Sequence, residues 1–202
     1  MKYSIATKLN MTQLFDENGK VYPATILSYS DLKVTQSKSV EKDGYEAIQF
    51  GFGSKSKNQL SKAVLTHSGV NNEKKGFALL KEVKGISATK GDILSFDFVS
   101  GDLIEATGIT KAKGFQGVVK RYNFKGGPRS HGQKHSERER GSSGAGGYQR
   151  VFKGTRMAGR MGGDRMTFKN LTVISVDVEN KLVYIKGAIP GRRGTVIEIK
   201  QK

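Results

Sequence analysis

The sequence contains no cysteine and about half as many acidic as basic side chains, 18 against 35. Without cysteine there is no disulfide framework, no Cys-ligated zinc or iron–sulfur site and no thiol nucleophile. Long apolar runs are missing too. The first 15 residues hold none of signal-peptide length, and no stretch approaches the roughly 18 residues of a membrane span. We therefore expect a soluble intracellular protein that has no membrane partner.

Enzyme and cofactor motifs are also missing. Residues 51–53 (GFG) lack the third glycine of a dinucleotide-binding loop, and no G-x-x-x-x-G-K-[ST] phosphate loop occurs. His131 and His135 are four residues apart, as in helical metal sites, but Gly132 lies between them and the zincin glutamate is absent. No nucleophile, base and orienting group can be assembled. We predict no catalytic residue, no metal, no cofactor and no small-molecule substrate.

The excess of positive charge is concentrated in one segment. The whole chain has a formal net charge of +17, and residues 111–165 account for +11, with 14 basic and three acidic side chains. The same 55 residues hold 13 of the 26 glycines and eight of the arginines. Guanidinium groups bind phosphate and guanine edges in bidentate fashion and stack on bases, whereas a lysine acts as a point charge. This segment is therefore predicted to recognise a nucleic acid.

The flanking residues predict a mainly β fold, a small antiparallel β-barrel domain. They contain short segments rich in β-branched and aromatic residues, separated by turn signals. Because the 37 residues after position 165 are too few to fold alone, residues 1–110 and 166–202 should share one core. One helix is expected at residues 58–67, with His67 on its apolar face. The predicted strands are residues 21–30, 45–52, 77–83, 92–99, 103–109, 171–178, 182–186 and 195–199.

Residues 111–165 lack the apolar periodicity of a strand or helix, and only 13 of the 55 are apolar. We interpret them as a long, largely irregular basic arm, inserted in the barrel domain and ordered by its partner. Within it, residues 113–125 could form one or two helical turns that dock Phe115, Val118, Val119 and Tyr122 on another surface and turn Lys120 and Arg121 outward. For the valines, packing is favoured over base contact. For the aromatic residues both roles stay open.

The arm is also where the sequence resembles a known family. KGFQGVVKRYNF (113–124), SHG (130–132), GSSG (141–144) and RVFKGTRMAGRMGGDR (150–165) resemble the L-three family of large-subunit ribosomal proteins. MTQLF (11–15) and VYIKGAIPG (183–191) look like the same family, so the resemblance spans the chain. One departure is Arg140, where the family usually has a proline.

The resemblance implies a structural constituent of the large ribosomal subunit with a β-barrel domain and a basic loop that runs towards the peptidyl-transferase centre. It also implies direct binding to 23S-type rRNA, a role in nucleating subunit assembly, and neighbours from the L-fourteen and L-nineteen families. The expected location is the cytoplasmic ribosome or an organellar one.

The predicted RNA-binding residues combine the basic side chains of the arm with its two histidines, one tyrosine and one barrel lysine. They are Lys8, Lys111, Lys113, Lys120, Arg121, Tyr122, Lys125, Arg129, His131, Lys134, His135, Arg138, Arg140, Arg150, Lys153, Arg156, Arg160 and Arg165.

Two other classes of function remain open from the residues alone. An RNA-acting enzyme would need a carboxylate cluster, and the acids of the arm are only Glu137, Glu139 and Asp164. A general nucleic-acid chaperone or a binder of acidic surfaces would bind DNA and unrelated RNA equally well.

Overall fold

A computed structural model describes residues 2–69, 75–144 and 146–201 of the chain. The fold is mainly β, as predicted. Its strands are β1 (Tyr3–Phe15), β2 (Val21–Tyr29), β3 (Leu32–Lys38), β4 (Ala47–Phe52), β5 (Lys55–Ser56), β6 (Lys75–Gly76), β7 (Leu79–Val83), β8 (Ile93–Leu94), β9 (Leu103–Ile109), β10 (Phe115–Gln116), β11 (Gly159–Arg160), β12 (Arg165–Asp177), β13 (Leu182–Lys186) and β14 (Val196–Gln201). The helices are α1 (Val40–Asp43), α2 (Lys62–Ser68) and α3 (Val118–Tyr122), and a 3-10 turn covers Lys57–Gln59.

Six strands form a closed barrel in the order β1-β14-β9-β12-β13-β2, which confirms the predicted small antiparallel barrel. Strands from before and after residues 110–165 are neighbours in it, since β9 lies between β14 and β12. Alternate side chains of these strands point inward, as in the pairs Val183 and Ile185 or Ile197 and Ile199, all fully buried. β-branched residues suit this position because they pack well on a pleated surface.

A second, four-stranded sheet in the order β7-β4-β3-β8 lies beside the barrel and was not predicted. Its core contains Leu32, Val34 and Phe50. Strand β1 serves both cores, because Ile5 packs into this one and its neighbour Ala6 packs into the barrel. The sequence did not indicate β1 or β3 as strands because polar residues, among them the buried Ser4 and Thr35, interrupt their apolar patterns.

Most predicted elements correspond to observed ones. Residues 103–109 and 182–186 are strands with the predicted bounds, whereas the predicted strand 92–99 shrinks to Ile93–Leu94. The helix expected at 58–67 is α2, which begins at Lys62 after the 3-10 turn. His67 lies on it and is exposed, with its Nε2 2.9 Å from Oε1 of Gln49 in β4.

The chain forms two compact units. Met1–Ile109 and Met166–Lys202 make up the first, here called the barrel unit, and Thr110–Arg165 makes up the second, the arm unit. No helix in the described part of the chain is long and apolar enough to cross a membrane.

Candidate nucleic-acid interface

The two ends of the arm unit are held together by backbone hydrogen bonds. The amide of Thr110 donates to the carbonyl of Asp164 at 2.9 Å, and the amide of Lys113 donates to that of Met161, also at 2.9 Å. A short antiparallel pair, β10 with β11, continues this ladder. Gly162 has φ +77°, and a Cβ there would overlap the carbonyl oxygen of Lys111, so only glycine fits this close crossing. Backbone pairing thus fixes the base of the arm unit.

One helical turn follows the ladder where the sequence predicted one. Helix α3 begins after Gly117 and ends at Asn123, which adopts the left-handed conformation with φ 59°. Val118 is 4% exposed, and Lys120 is exposed as predicted. Phe115 does not pack on the protein, since its ring is 76% exposed, so base contact is the role that stays open for it. It precedes the helix in β10 and so does not share the buried face.

Two guanidinium groups lie over the ring of Tyr122. Cζ of Arg121 is 4.9 Å from the centre of the tyrosine ring, and Cζ of Arg156 is 5.6 Å from it. Arg121 is half-buried instead of turned outward, because its Nη1 donates to the carbonyl of Met157 at 2.8 Å. Stacking on an aromatic face orients a guanidinium without neutralising it. Both cations thus keep their charge for an anionic partner.

Beyond α3 the arm unit is irregular, and local contacts hold it. Gly127 donates its amide to the carbonyl of Glu137 at 2.9 Å. Between the same two chain segments, Nε of Arg129 is 2.7 Å from a carboxylate oxygen of Glu137. Both side chains are exposed, so this ion pair is weak and can exchange for a contact with another anion.

Almost all predicted site residues lie in the arm unit with accessible side chains. Arg121, Tyr122 and Arg140 are half-buried. The exposed ones are Lys111, Lys113, Lys120, Lys125, Arg129, His131, Lys134, His135, Arg138, Arg150, Lys153, Arg156, Arg160 and Arg165.

Lys8 has to be removed from the predicted set. Its side chain lies within the barrel unit and is only 9% exposed. The ammonium donates to the carbonyl oxygens of Ile189 at 2.6 Å and Gly191 at 3.3 Å. A cation engaged with backbone carbonyls inside a fold serves stability, so we assign Lys8 a structural role.

The sequence prediction left out several exposed groups with the right chemistry. Among the arm aromatics it selected only Tyr122, yet Tyr148 is 64% and Phe152 48% exposed, and their rings form an edge-to-face pair. In the barrel unit, the adjacent Arg192 and Arg193 are exposed in the loop before β14. Two arginines flanked by glycines are a signal that could have identified this loop.

The arrangement suits binding and offers little for catalysis. The described residues contain no group of three or more His, Asp or Glu side chains placed to hold a metal ion. The acids of the arm unit are Glu137, Glu139 and Asp164, and the first is paired with an arginine. Exposed cations, arginines stacked on a tyrosine and accessible aromatic rings are the groups that bind phosphates and unpaired bases.

Comparison with known proteins gives a consistent result. Residues 84–180 match the family model described as Ribosomal protein L3. The chain is 40% identical over 200 residues to the large ribosomal subunit protein uL3 of Chlorobaculum tepidum, covering 96% of both proteins. It is 42% identical over 205 residues to the uL3 protein of Dehalococcoides mccartyi, covering 98% of this chain and 96% of that one. The uL3 protein of a Geobacillus species is 42% identical over 199 residues, or 96% and 93% of the two chains.

Proposed function

Because the chain belongs to the L-three family of large-subunit ribosomal proteins, we propose that it binds 23S-type rRNA directly through its arm unit. The family makes it a structural constituent of the large ribosomal subunit and not an enzyme. Its place is therefore the ribosome, which is cytoplasmic in its bacterial relatives.

The charge distribution is the main support for the proposed rRNA binding. Residues 111–165 bring 14 cations and three acids into a unit whose basic side chains are mostly exposed. Such a surface repels itself in isolation and is neutralised by a polyanion. Eight of the cations are arginines, which suit the phosphates and grooves of a folded RNA better than lysines do.

Three finer parts of the proposal come from the family. The protein helps to nucleate assembly of the large subunit, the arm unit extends towards the peptidyl-transferase centre, and members of the L-fourteen and L-nineteen families are its neighbours. Depletion of the protein should then stall assembly at an early precursor. Accumulation of only late, nearly complete particles would contradict the assembly role.

The salt dependence of binding tests the RNA contact. If about seven of the arm cations pair with phosphates, log Kobs should fall against log[salt] with a slope of roughly −5 to −6. Affinity for a 23S-type rRNA fragment would then drop about a thousandfold over a fourfold rise in salt. A slope near −1 would contradict the proposal.

Competition experiments test whether this RNA binding is selective. We expect the rRNA fragment to be preferred over duplex DNA and unrelated RNA of equal length by at least about a hundredfold at physiological salt, since shape and base contacts add to the phosphate term. Equal affinity for all three would instead identify a general nucleic-acid binder.

A further inference from the structure

A pocket of about 390 Å³ lies in the arm unit, next to the end of α3. This volume is at the lower end of the range for small-ligand sites. It suits a single nucleotide and is too small for a base pair. The lining residues are Phe124, Lys125, Gly126, Gly127, Gln133, Ser136, Glu139, Arg140 and Gly141.

One wall of the pocket is backbone, and two glycines permit the close packing of its two chain segments. Gly127 donates its amide to the carbonyl of Glu137 at 2.9 Å, which draws the two chain segments together. A Cβ on Gly127 would approach the carbonyl oxygen of Ser136 to 2.9 Å, and one on Gly126 would overlap that of Glu137. A side chain at either position would therefore force this wall apart.

Arg140 supplies the strongest polar feature of the pocket. Its Nη1 donates to Oγ of Ser143. Its Nε is buried and has no hydrogen-bond partner among the described residues. A buried charged donor without an acceptor is costly, so the half-buried guanidinium gains by turning this donor towards an anionic oxygen in the pocket. Lys125 lines the same pocket with an exposed side chain and adds a second cation.

The remaining side chains match a nucleobase. Phe124 is half-buried, so part of its ring stays accessible for stacking. The amide of Gln133 can both donate and accept on a base edge, and the carboxylate of Glu139 can accept from an exocyclic amino group. With two cations and one acid, the lining has a net charge of +1, which fits one phosphodiester.

We propose that this pocket holds one unpaired nucleotide of the rRNA, with its base on Phe124 and its phosphate on Arg140 and Lys125. The inference rests on the proposed rRNA binding and adds to it a defined subsite within the arm unit. It separates Arg140 and Lys125 from the other arm cations, which contact phosphates without selecting an unpaired base.

Chemical probing of the rRNA at nucleotide resolution, with the full-length protein bound, tests the subsite. The wild-type protein should protect one unpaired nucleotide that becomes reactive with Phe124→Leu, while the rest of the footprint is kept. Affinity should fall about tenfold, because base stacking on an aromatic ring contributes this much or more. The control Phe115→Leu removes an exposed arm ring outside the pocket and should leave that nucleotide protected.

A matched pair of charge variants separates the pocket from general charge. Arg140→Gln and Arg138→Gln each remove one arm cation, and each should reduce the salt slope by about 1 if its cation contacts phosphate. Only Arg140→Gln should expose the nucleotide. Circular dichroism and thermal melting establish that both variants are folded.

The outcomes are distinguishable. Identical footprints for Arg140→Gln and Arg138→Gln, or full protection with Phe124→Leu, would overturn the subsite while rRNA binding stands. Absence of any wild-type footprint would overturn the proposed function itself. Micromolar binding of free adenosine or uridine 5′-monophosphate, measured by equilibrium dialysis with no RNA present, would assign the pocket to a soluble ligand instead.

Discussion

The barrel unit and the arm unit reach order by different means. In the barrel unit, apolar side chains such as Ile185 and Phe50 are fully buried in two cores. Within the described residues of the arm unit, Val118 is the one buried apolar side chain. There the order comes from backbone ladders, close glycine crossings and stacked arginines. Folding and recognition thus depend on different parts of the sequence.

The two units also use their charges differently. Lysines of the barrel unit pair with nearby acids, as Lys2 does with Asp102 and Lys181 with Asp31. In the arm unit, basic side chains outnumber acidic ones by 14 to three, so most cannot be neutralised within the unit. The acids of the barrel unit therefore balance most of its cations, 15 against 21, whereas most cations of the arm unit remain for a partner.

Truncating the barrel core should give the largest effect on stability. Ile185 is fully buried, so Ile185→Ala should lower the free energy of unfolding by about 2–5 kcal/mol, as measured by urea denaturation. At a temperature where the variant is still folded, its rRNA affinity should change less than twofold. The control Val178→Ala removes a side chain that is 74% exposed and should change stability by less than about 0.5 kcal/mol.

Removing the outer part of the arm should have the reverse effect. If residues 125–149 are replaced by a short Gly-Ser linker, five cations and the pocket are lost. Affinity for the rRNA fragment should then fall about a hundredfold at physiological salt. The thermal melting of the barrel unit should remain cooperative and shift by no more than a few degrees. Loss of cooperative melting would mean that the segment belongs to the core, and the contrast between the units would fail.

Two lysines allow the same substitution in both units. In Lys8→Met the buried carbonyl oxygens of Ile189 and Gly191 lose a charged donor, so the free energy of unfolding should fall by about 1–3 kcal/mol while rRNA affinity is kept. In Lys113→Met an exposed arm cation is lost, so affinity should fall while stability is kept. Urea denaturation and filter binding measure the two effects. A loss of rRNA affinity in folded Lys8→Met would mean that Lys8 contacts the rRNA.

Elements with clear local patterns were predicted from the sequence, and elements without them were missed. The segments 103–109 and 182–186 have clear alternation and turn signals, and their bounds were correct. β1 was missed because its alternate side chains enter two different cores, so Ile5 and Ala6 are both buried and no single apolar face appears. The second sheet depends on pairings between distant segments, which local periodicity does not encode.

For the candidate site, composition predicted which segment matters but not how each side chain is used. Lys8 and Lys113 look alike in the sequence, yet one is buried against carbonyls and the other is exposed. Arg140 was selected for its charge alone, whereas its buried Nε and its place in the pocket lining depend on contacts with separated residues such as Gly127 and Gln133. Local sequence patterns do not reveal such contacts between separated residues.

The smallest expected effect concerns an ion pair within the barrel unit. Lys38 donates to Glu82 at 2.8 Å and Tyr45 donates to the same carboxylate at 2.9 Å, and these hydrogen bonds hold the pKa of Glu82 below its ordinary value of 4.5. A carboxylate whose pKa is lowered by folding stabilises the fold above its unfolded pKa and loses this effect as the pH falls through the folded one. Glu82→Gln should therefore be less stable than the wild type at pH 6, by less than about 1 kcal/mol because the pair is partly exposed, and this difference should shrink as the pH falls below 4.5. A difference that is constant from pH 3 to 6 would show that the substitution acts through packing instead. At pH 7 the rRNA affinity of Glu82→Gln should equal that of the wild type, since Glu82 lies in the barrel unit and the proposed rRNA contacts lie in the arm unit.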